Sequence, residues 1–192
     1  SVASGNGKRG LFPLLRTLLL LLALPGLPSF AQDGRELTEE ARKQYATGLR
    51  EASALVGDRQ YAEAQTRLDA LLAQRPREPQ ARFLKGVVAT EQGRTDSAIA
   101  VFRGLIEDYP ELPEPYNNLA VIYAQKGDYE NARIALETAV ITGPDWSVAH
   151  ENLGDVYARL AAVQYNRAAT LDKGNKTAPG KLVLVRELLA PK

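Results

Sequence analysis

A period of 34 residues governs this chain. Ala64, Ala98 and Ala132 form one column, and Leu68, Phe102 and Leu136 a second. Pro76, Pro110 and Pro144 form a third, and Gly86, Ala120 and Gly154 a fourth. Several independent columns in register mark a true internal repeat, and a period of this length means a stack of short supersecondary units. The clearest unit is residues 113–145. There Tyr116, Leu119, Ala120 and Tyr123 fall at i, i+3, i+4 and i+7, one face of a helix. Pro113 and Pro115 sit in its opening turn, where a missing N–H costs little. Gly127 stops it and Asp128 is placed to cap a second helix, whose apolar face is Ala132, Ala135, Leu136 and Ala139. Gly143-Pro144 closes the unit.

A two-helix hairpin has more apolar surface than it can cover alone, so each unit needs neighbours. The small column lies where paired helices cross and lets their axes approach to roughly 8–10 Å. The large column fills the gap to the next hairpin, and the prolines end each second helix.

These columns resemble those of the tetratricopeptide repeat (TPR) family. Tyr116, Leu119, Ala120, Tyr123, Ala132, Leu136, Ala139 and Pro144 match its pattern throughout. The second repeat matches at Gly86, Gly93, Ala98, Phe102 and Pro110, but has Arg82 and Lys85 where large apolar residues are usual. The first matches chiefly in its second half, at Ala64, Leu68, Leu71 and Pro76. The resemblance implies an all-α, right-handed solenoid of about three hairpins. It also implies a non-catalytic scaffold for protein–protein interaction, with no cofactor.

Residues 38–172 are expected to form the repeats, with a helix starting at the Thr38 cap. The fourth unit departs from the pattern. Leu153, Gly154 and Tyr157 keep their columns, whereas Ala161, Tyr165 and Ala168 arrive about five residues early and the Gly-Asp turn is missing. It is either a shortened hairpin or one long helix from about Trp146 to Leu171, and the absence of a helix breaker favours the long helix. Residues 173–180 read as a loop from Lys173-Gly174-Asn175 and Pro179-Gly180. Residues 181–190 read as a capping helix with Leu182, Val185, Leu188 and Leu189 on one face; a strand through 182–185 would have no partner.

Residues 1–31 stand apart. Lys8, Arg9 and Arg16 precede a short apolar run over 17–24, ended by Pro25-Gly26, and Ser29-Phe30-Ala31 offers small residues for cleavage before Gln32. This pattern predicts a signal peptide, followed by a flexible tether over 32–37. The run is shorter than the roughly 20 apolar residues of a membrane span. The expectation is therefore a periplasmic or secreted protein. The alternative is an adapter of an envelope assembly complex, held at the inner membrane by an uncleaved segment. Without these residues, which hold three of the 24 Lys+Arg and no acid, 21 bases face 23 acids. Such a balance lacks the basic stripe of a nucleic-acid surface.

The chain contains no Cys and one His. This excludes disulfides, thiol catalysis and the usual closed zinc sites. Gly5 to Gly10 spells G-x-G-x-x-G, but inside the export segment and outside any βαβ context. Asp145, Ser147 and His150 lie close enough in sequence to suggest a hydrolase. Against it, His150 occupies the large-residue column of a repeat, which makes it a core or half-buried histidine, and no oxyanion loop follows. The carboxylates Glu39, Glu40, Glu130 and Glu137 fall on solvated helix faces. Asn118 and Asn152, each just before the Leu of its repeat, read as structural. Asn175-Lys176-Thr177 fits a glycosylation sequon.

The resemblance places a concave groove along the first helices of the repeats. Carried over by position, its residues are Gln80, Phe83, Val87, Thr90 and Glu91, then Glu114, Asn117, Val121, Ala124 and Gln125, then Glu151, Asp155 and Arg159. The set has an apolar floor and an acidic end. It implies a protein or peptide ligand with an apolar anchor and basic residues.

Overall fold

Proline opens and glycine closes the first helix of the two central hairpins. In the computed structural model, which describes residues 38–190, α3 (Pro79–Glu91) and α5 (Pro113–Gln125) each start on a proline. Gly93 and Gly127, at φ +71° and +79°, then turn the chain into α4 (Thr95–Asp108) and α6 (Tyr129–Thr142). The first hairpin, α1 (Glu39–Gly57) and α2 (Tyr61–Gln74), has Arg59 at the same register, held at φ +60°. Two caps read from the sequence are made. Thr38 accepts from the Ala41 N–H, and Asp128 accepts from the Asn131 N–H. The chain ends in α7 (Ser147–Leu171) and α8 (Ala178–Leu188), and no strand occurs among the described residues.

The columns do what their sizes require. Ala64, Ala98 and Ala132 are fully buried, as are Leu68 and Phe102, with Leu136 at 1%. A methyl group on Gly86 would lie 2.7 Å from the Phe102 ring, so the α3–α4 crossing admits only glycine at this separation. Phe83 packs on Phe102 with ring centroids 5.8 Å apart. Arg82 and Lys85, which break the apolar pattern, reach across to neighbouring helices. Arg82 meets Asp108 of α4 at 2.5 Å, and Lys85 meets Asp69 of α2 at 2.7 Å. Ion pairs stand there in place of apolar contacts.

The hairpins stack in series. Each helix packs mainly on the ones before and after it in the chain, and the first helices also touch one another, α1 to α3, α3 to α5 and α5 to α7. The second helices make no comparable contacts among themselves. Close spacing on one side and wide spacing on the other bends the stack, so the first helices line its concave side. This is the all-α solenoid that the columns predict.

The fourth unit is one helix of 25 residues, α7. Its first half covers the third hairpin, with Val156 buried and Leu153 and Leu160 packed on the cluster of Val121, Ala124 and Leu136. Its second half pairs with α8, where Lys181 Nζ lies 5.6 Å from the centre of the Tyr165 ring. Consequently no second helix crosses at Gly154, and a Cβ there would meet nothing within 4 Å.

The terminal helix starts earlier than its composition suggests. Asn175 Oδ1 accepts from the N–H groups of Thr177 and Ala178 and from the Thr177 hydroxyl, capping a helix that takes Pro179 and Gly180 into its first turn. The expected loop over 173–180 is therefore shorter. α8 buries Ala178 and Leu182 but leaves Leu184 and Leu188 exposed at 65% and 71%, so its outer face is not the polar one of an ideal cap. The expected signal peptide, 1–31, and tether, 32–37, lie outside the described residues.

Candidate functional site

Close spacing of the first helices determines which groove positions reach the surface. Phe83 and Val87 are only 7% and 5% exposed, Val121 6% and Ala124 4%. These side chains belong to the core clusters. The expected apolar floor is thus packed beneath the row, because α1, α3, α5 and α7 are near enough to bury the residues between them. Asn117 is equally buried, and its Oδ1 accepts from Asn152 Nδ2 at 2.8 Å. That bond joins the third unit to the fourth. Asn118, in the register of Asn152, instead donates to the Glu114 carbonyl of its own helix.

The polar positions remain accessible. Glu91, Gln125 and Glu151 are exposed; Gln80, Thr90, Glu114, Asp155 and Arg159 are half-buried. The Tyr61 hydroxyl donates to Glu91 Oε2 at 2.8 Å, and burial together with this carboxylate pushes the phenol up to about 12. Thr90 spends its hydroxyl on the Gly86 carbonyl of its own helix.

The acids of α5 and α7 sit differently. Burial raises Glu114 above the usual carboxylate range, and burial followed by the neighbouring charge of Glu151 raises Asp155, with Arg159 acting in the opposite sense. Neither Glu114 nor Glu151 is in an ion pair with any described residue. Elsewhere carboxylates are held in ion pairs, as Glu130 and Glu137 are by Arg133.

Beside Glu114 lies a cleft of about 330 Å³ between the starts of α5 and α7, lined by Pro113, Glu114, Gly143, Pro144, Asp145 and Trp146. In the repeat pattern Gly143-Pro144 marks only the close of a unit. Positions 75, 109 and 143 hold Arg, Tyr and Gly, and the glycine suits a close approach, since a Cβ on Gly143 would lie 2.9 Å from Pro113 Cγ.

Asp145, Ser147 and His150 do not assemble. All three are exposed, which corrects the expectation of a core or half-buried histidine. His150 follows the bend into α7, so its ring turns back along the surface, where Nε2 donates to the Pro144 carbonyl at 2.8 Å. Neither Asp145 nor Ser147 hydrogen-bonds to it. Among the described residues no group of three metal-binding side chains occurs, and no helix is long and apolar enough to cross a membrane.

Serial helical hairpins with an exposed polar row on their concave side define a solenoid scaffold. Models of the tetratricopeptide repeat match residues 49–113 and 89–155, together more than half of the chain, and the chain belongs to that family. Human tetratricopeptide repeat protein 8 is 35% identical over 94 residues, covering 45% of this chain and 17% of the relative, so the chain spans less than a fifth of that protein. A thermophilic TPR protein of Thermus thermophilus has a similar fold, with a TM-score of 0.58 and 20% identity over 76% of this chain and 83% of the other. MamA from Desulfovibrio magneticus RS-1 gives a TM-score of 0.51 and 23% identity over 75% of each chain.

Proposed function

We propose that this TPR protein is a non-catalytic scaffold of the cell envelope. It holds a peptide or protein segment bearing basic residues along the concave row of its first helices. The observation that carries this reading is that Glu114 and Glu151 have no ion partner among the described residues, with Asp155 feeling the charge of Glu151. A half-buried carboxylate with no counter-charge is costly in the free protein, and a cation brought by a ligand relieves that cost. The apolar anchor of the ligand has less room than the columns suggested, since Phe83, Val87, Val121 and Ala124 are packed away. Of the groove positions, Glu91, Glu114, Gln125, Glu151 and Asp155 are those that would meet it.

A screen of immobilised peptides against the purified protein tests the reading. Basic peptides with one or two apolar residues should bind, and acidic peptides should not. Replacing Glu151→Lys and Asp155→Lys together should abolish the binding of the basic set. Equal binding of acidic and basic peptides, or no effect of the double replacement, would contradict the proposal.

The envelope location rests on residues 1–31, with their basic start, short apolar run and small residues before Gln32. N-terminal sequencing of the protein isolated from cells distinguishes a cleaved product starting near Gln32 from an adapter that keeps its apolar segment as a membrane anchor.

A further inference from the structure

Helix α8 turns one side to α7 and leaves the other to solvent. Ala178 and Leu182 are buried on the packed side, whereas Gly180, Lys181, Leu184, Glu187 and Leu188 are exposed. These five form a single stripe, since 180, 184 and 188 stand four apart and 181, 184 and 187 three apart. Leu184 and Leu188, at 65% and 71%, make it apolar where the end of a solenoid should be polar.

The stripe is complementary to its own reverse. Leu184 is its centre, with Lys181 three residues before and Glu187 three after, then Gly180 four before and Leu188 four after. A base thus mirrors an acid, and a residue without a side chain mirrors a large one. Neither Lys181 nor Glu187 is in an ion pair with any described residue. Nothing within one copy asks for the glycine. Gly180 does not have a positive φ, and a Cβ there would meet nothing within 4 Å. Alanine would be the better helix former at that place.

We infer that α8 packs antiparallel on α8 of a second copy, about a two-fold axis at Leu184. Such an axis turns the helix end for end, so each contact occurs twice. Lys181 of one copy comes level with Glu187 of the other, Leu188 comes level with Gly180, and Leu184 meets itself. Glycine leaves room for the leucine, which lets the axes approach to the roughly 8–10 Å of packed helices. The exposed charges add little adhesion but fix direction and register. A parallel pairing would set Lys181 against Lys181 and Glu187 against Glu187. Two helices of 11 residues bury less than the roughly 1,600 Å² of a standard interface, so the dimer is weak and reversible. The second copy completes the cap that α8 alone leaves apolar. The inference is independent of what the concave row binds.

The chain has no cysteine, so an introduced one can trap the contact. Leu184→Cys in the full chain, under mild oxidation, should form a disulfide with its own kind, because a residue on a two-fold axis meets its copy. It should do so at least about tenfold faster than Ile141→Cys on α6, a position no less exposed. Adding Lys181→Glu or Glu187→Lys to Leu184→Cys should slow the reaction about tenfold, since either change sets like charges level. Mixing these two chains should restore the rate and join unlike chains, because one then brings two acids and the other two bases. All of these positions are exposed, so the variants keep the fold. Equal rates at 184 and 141, no slowing by either charge reversal, or no recovery on mixing would overturn the inference.

Discussion

Asn152 Nδ2 donates to Asn117 Oδ1 at 2.8 Å, and the two side chains are 1% and 2% exposed. This bond ties α7, which has no second helix of its own at this level, to the hairpin before it. Removing one partner leaves a buried amide unsatisfied, which costs roughly 1–3 kcal/mol. Asn117→Ala should therefore lower the stability by about that amount in urea denaturation. Replacing both residues with leucine should recover much of the loss, because no buried polar group is then left alone.

The two glycines of the small column should respond in opposite directions. At Gly86 a methyl group would press on Phe102 at 2.7 Å, whereas at Gly154 it would meet nothing within 4 Å. Gly86→Ala should destabilise by about 1–3 kcal/mol through overpacking. Gly154→Ala should stabilise by about 0.5–1 kcal/mol, the ordinary gain of alanine over glycine within a helix. Melting temperatures of the two variants check both signs.

Arg59 takes the register that glycine holds at positions 93 and 127, with φ at +60°. A left-handed conformation costs a side-chain-bearing residue roughly 1–2 kcal/mol, partly offset by the extra chain entropy that glycine loses on folding. Arg59→Gly should thus raise stability by up to about 1 kcal/mol. A fall in the denaturation midpoint would mean that the arginine makes a compensating contact.

Much of this architecture was legible from the columns because each has one cause. Alanine at 64, 98 and 132 marks a close helix crossing, and proline at 76, 110 and 144 marks a helix end. The long α7 could also be read, since nothing between Trp146 and Leu171 breaks a helix. The groove was harder. Position in a repeat tells which way Phe83 or Val121 points, but not how closely the next first helix approaches, and that distance decides burial. The Asn117–Asn152 bond was hidden for a similar reason. It links positions 35 apart rather than 34, so no column contains it. Glycine at 143, where the two earlier corners carry Arg and Tyr, goes with the close approach of Pro113, which no column records.

Two carboxylates should give opposite pH signatures. Burial raises Glu114, so the folded chain binds its proton more tightly than the unfolded chain does. The resulting penalty is absent below the unfolded pKa and complete once the pH has risen through the folded one. Glu114→Gln should then stabilise at about pH 7 and have no effect at about pH 3. Asp108 is held low by its hydrogen bond to Arg82, with further help from Arg77. Its contribution is present above the unfolded pKa and lost as the pH falls through the folded one, so Asp108→Asn should destabilise at about pH 7 and not at low pH. Urea midpoints of both variants across this range show whether the signs hold.

A photo-crosslinking residue placed in turn at concave positions 91, 125 and 151, and at positions 66 and 107 on the second helices, measures where a partner lies. The account predicts that a basic peptide from the screen becomes attached at the concave positions alone, and that Glu151→Lys with Asp155→Lys abolishes attachment at 91 and 125. Attachment of equal yield from positions 66 and 107, indifferent to those replacements, would contradict it.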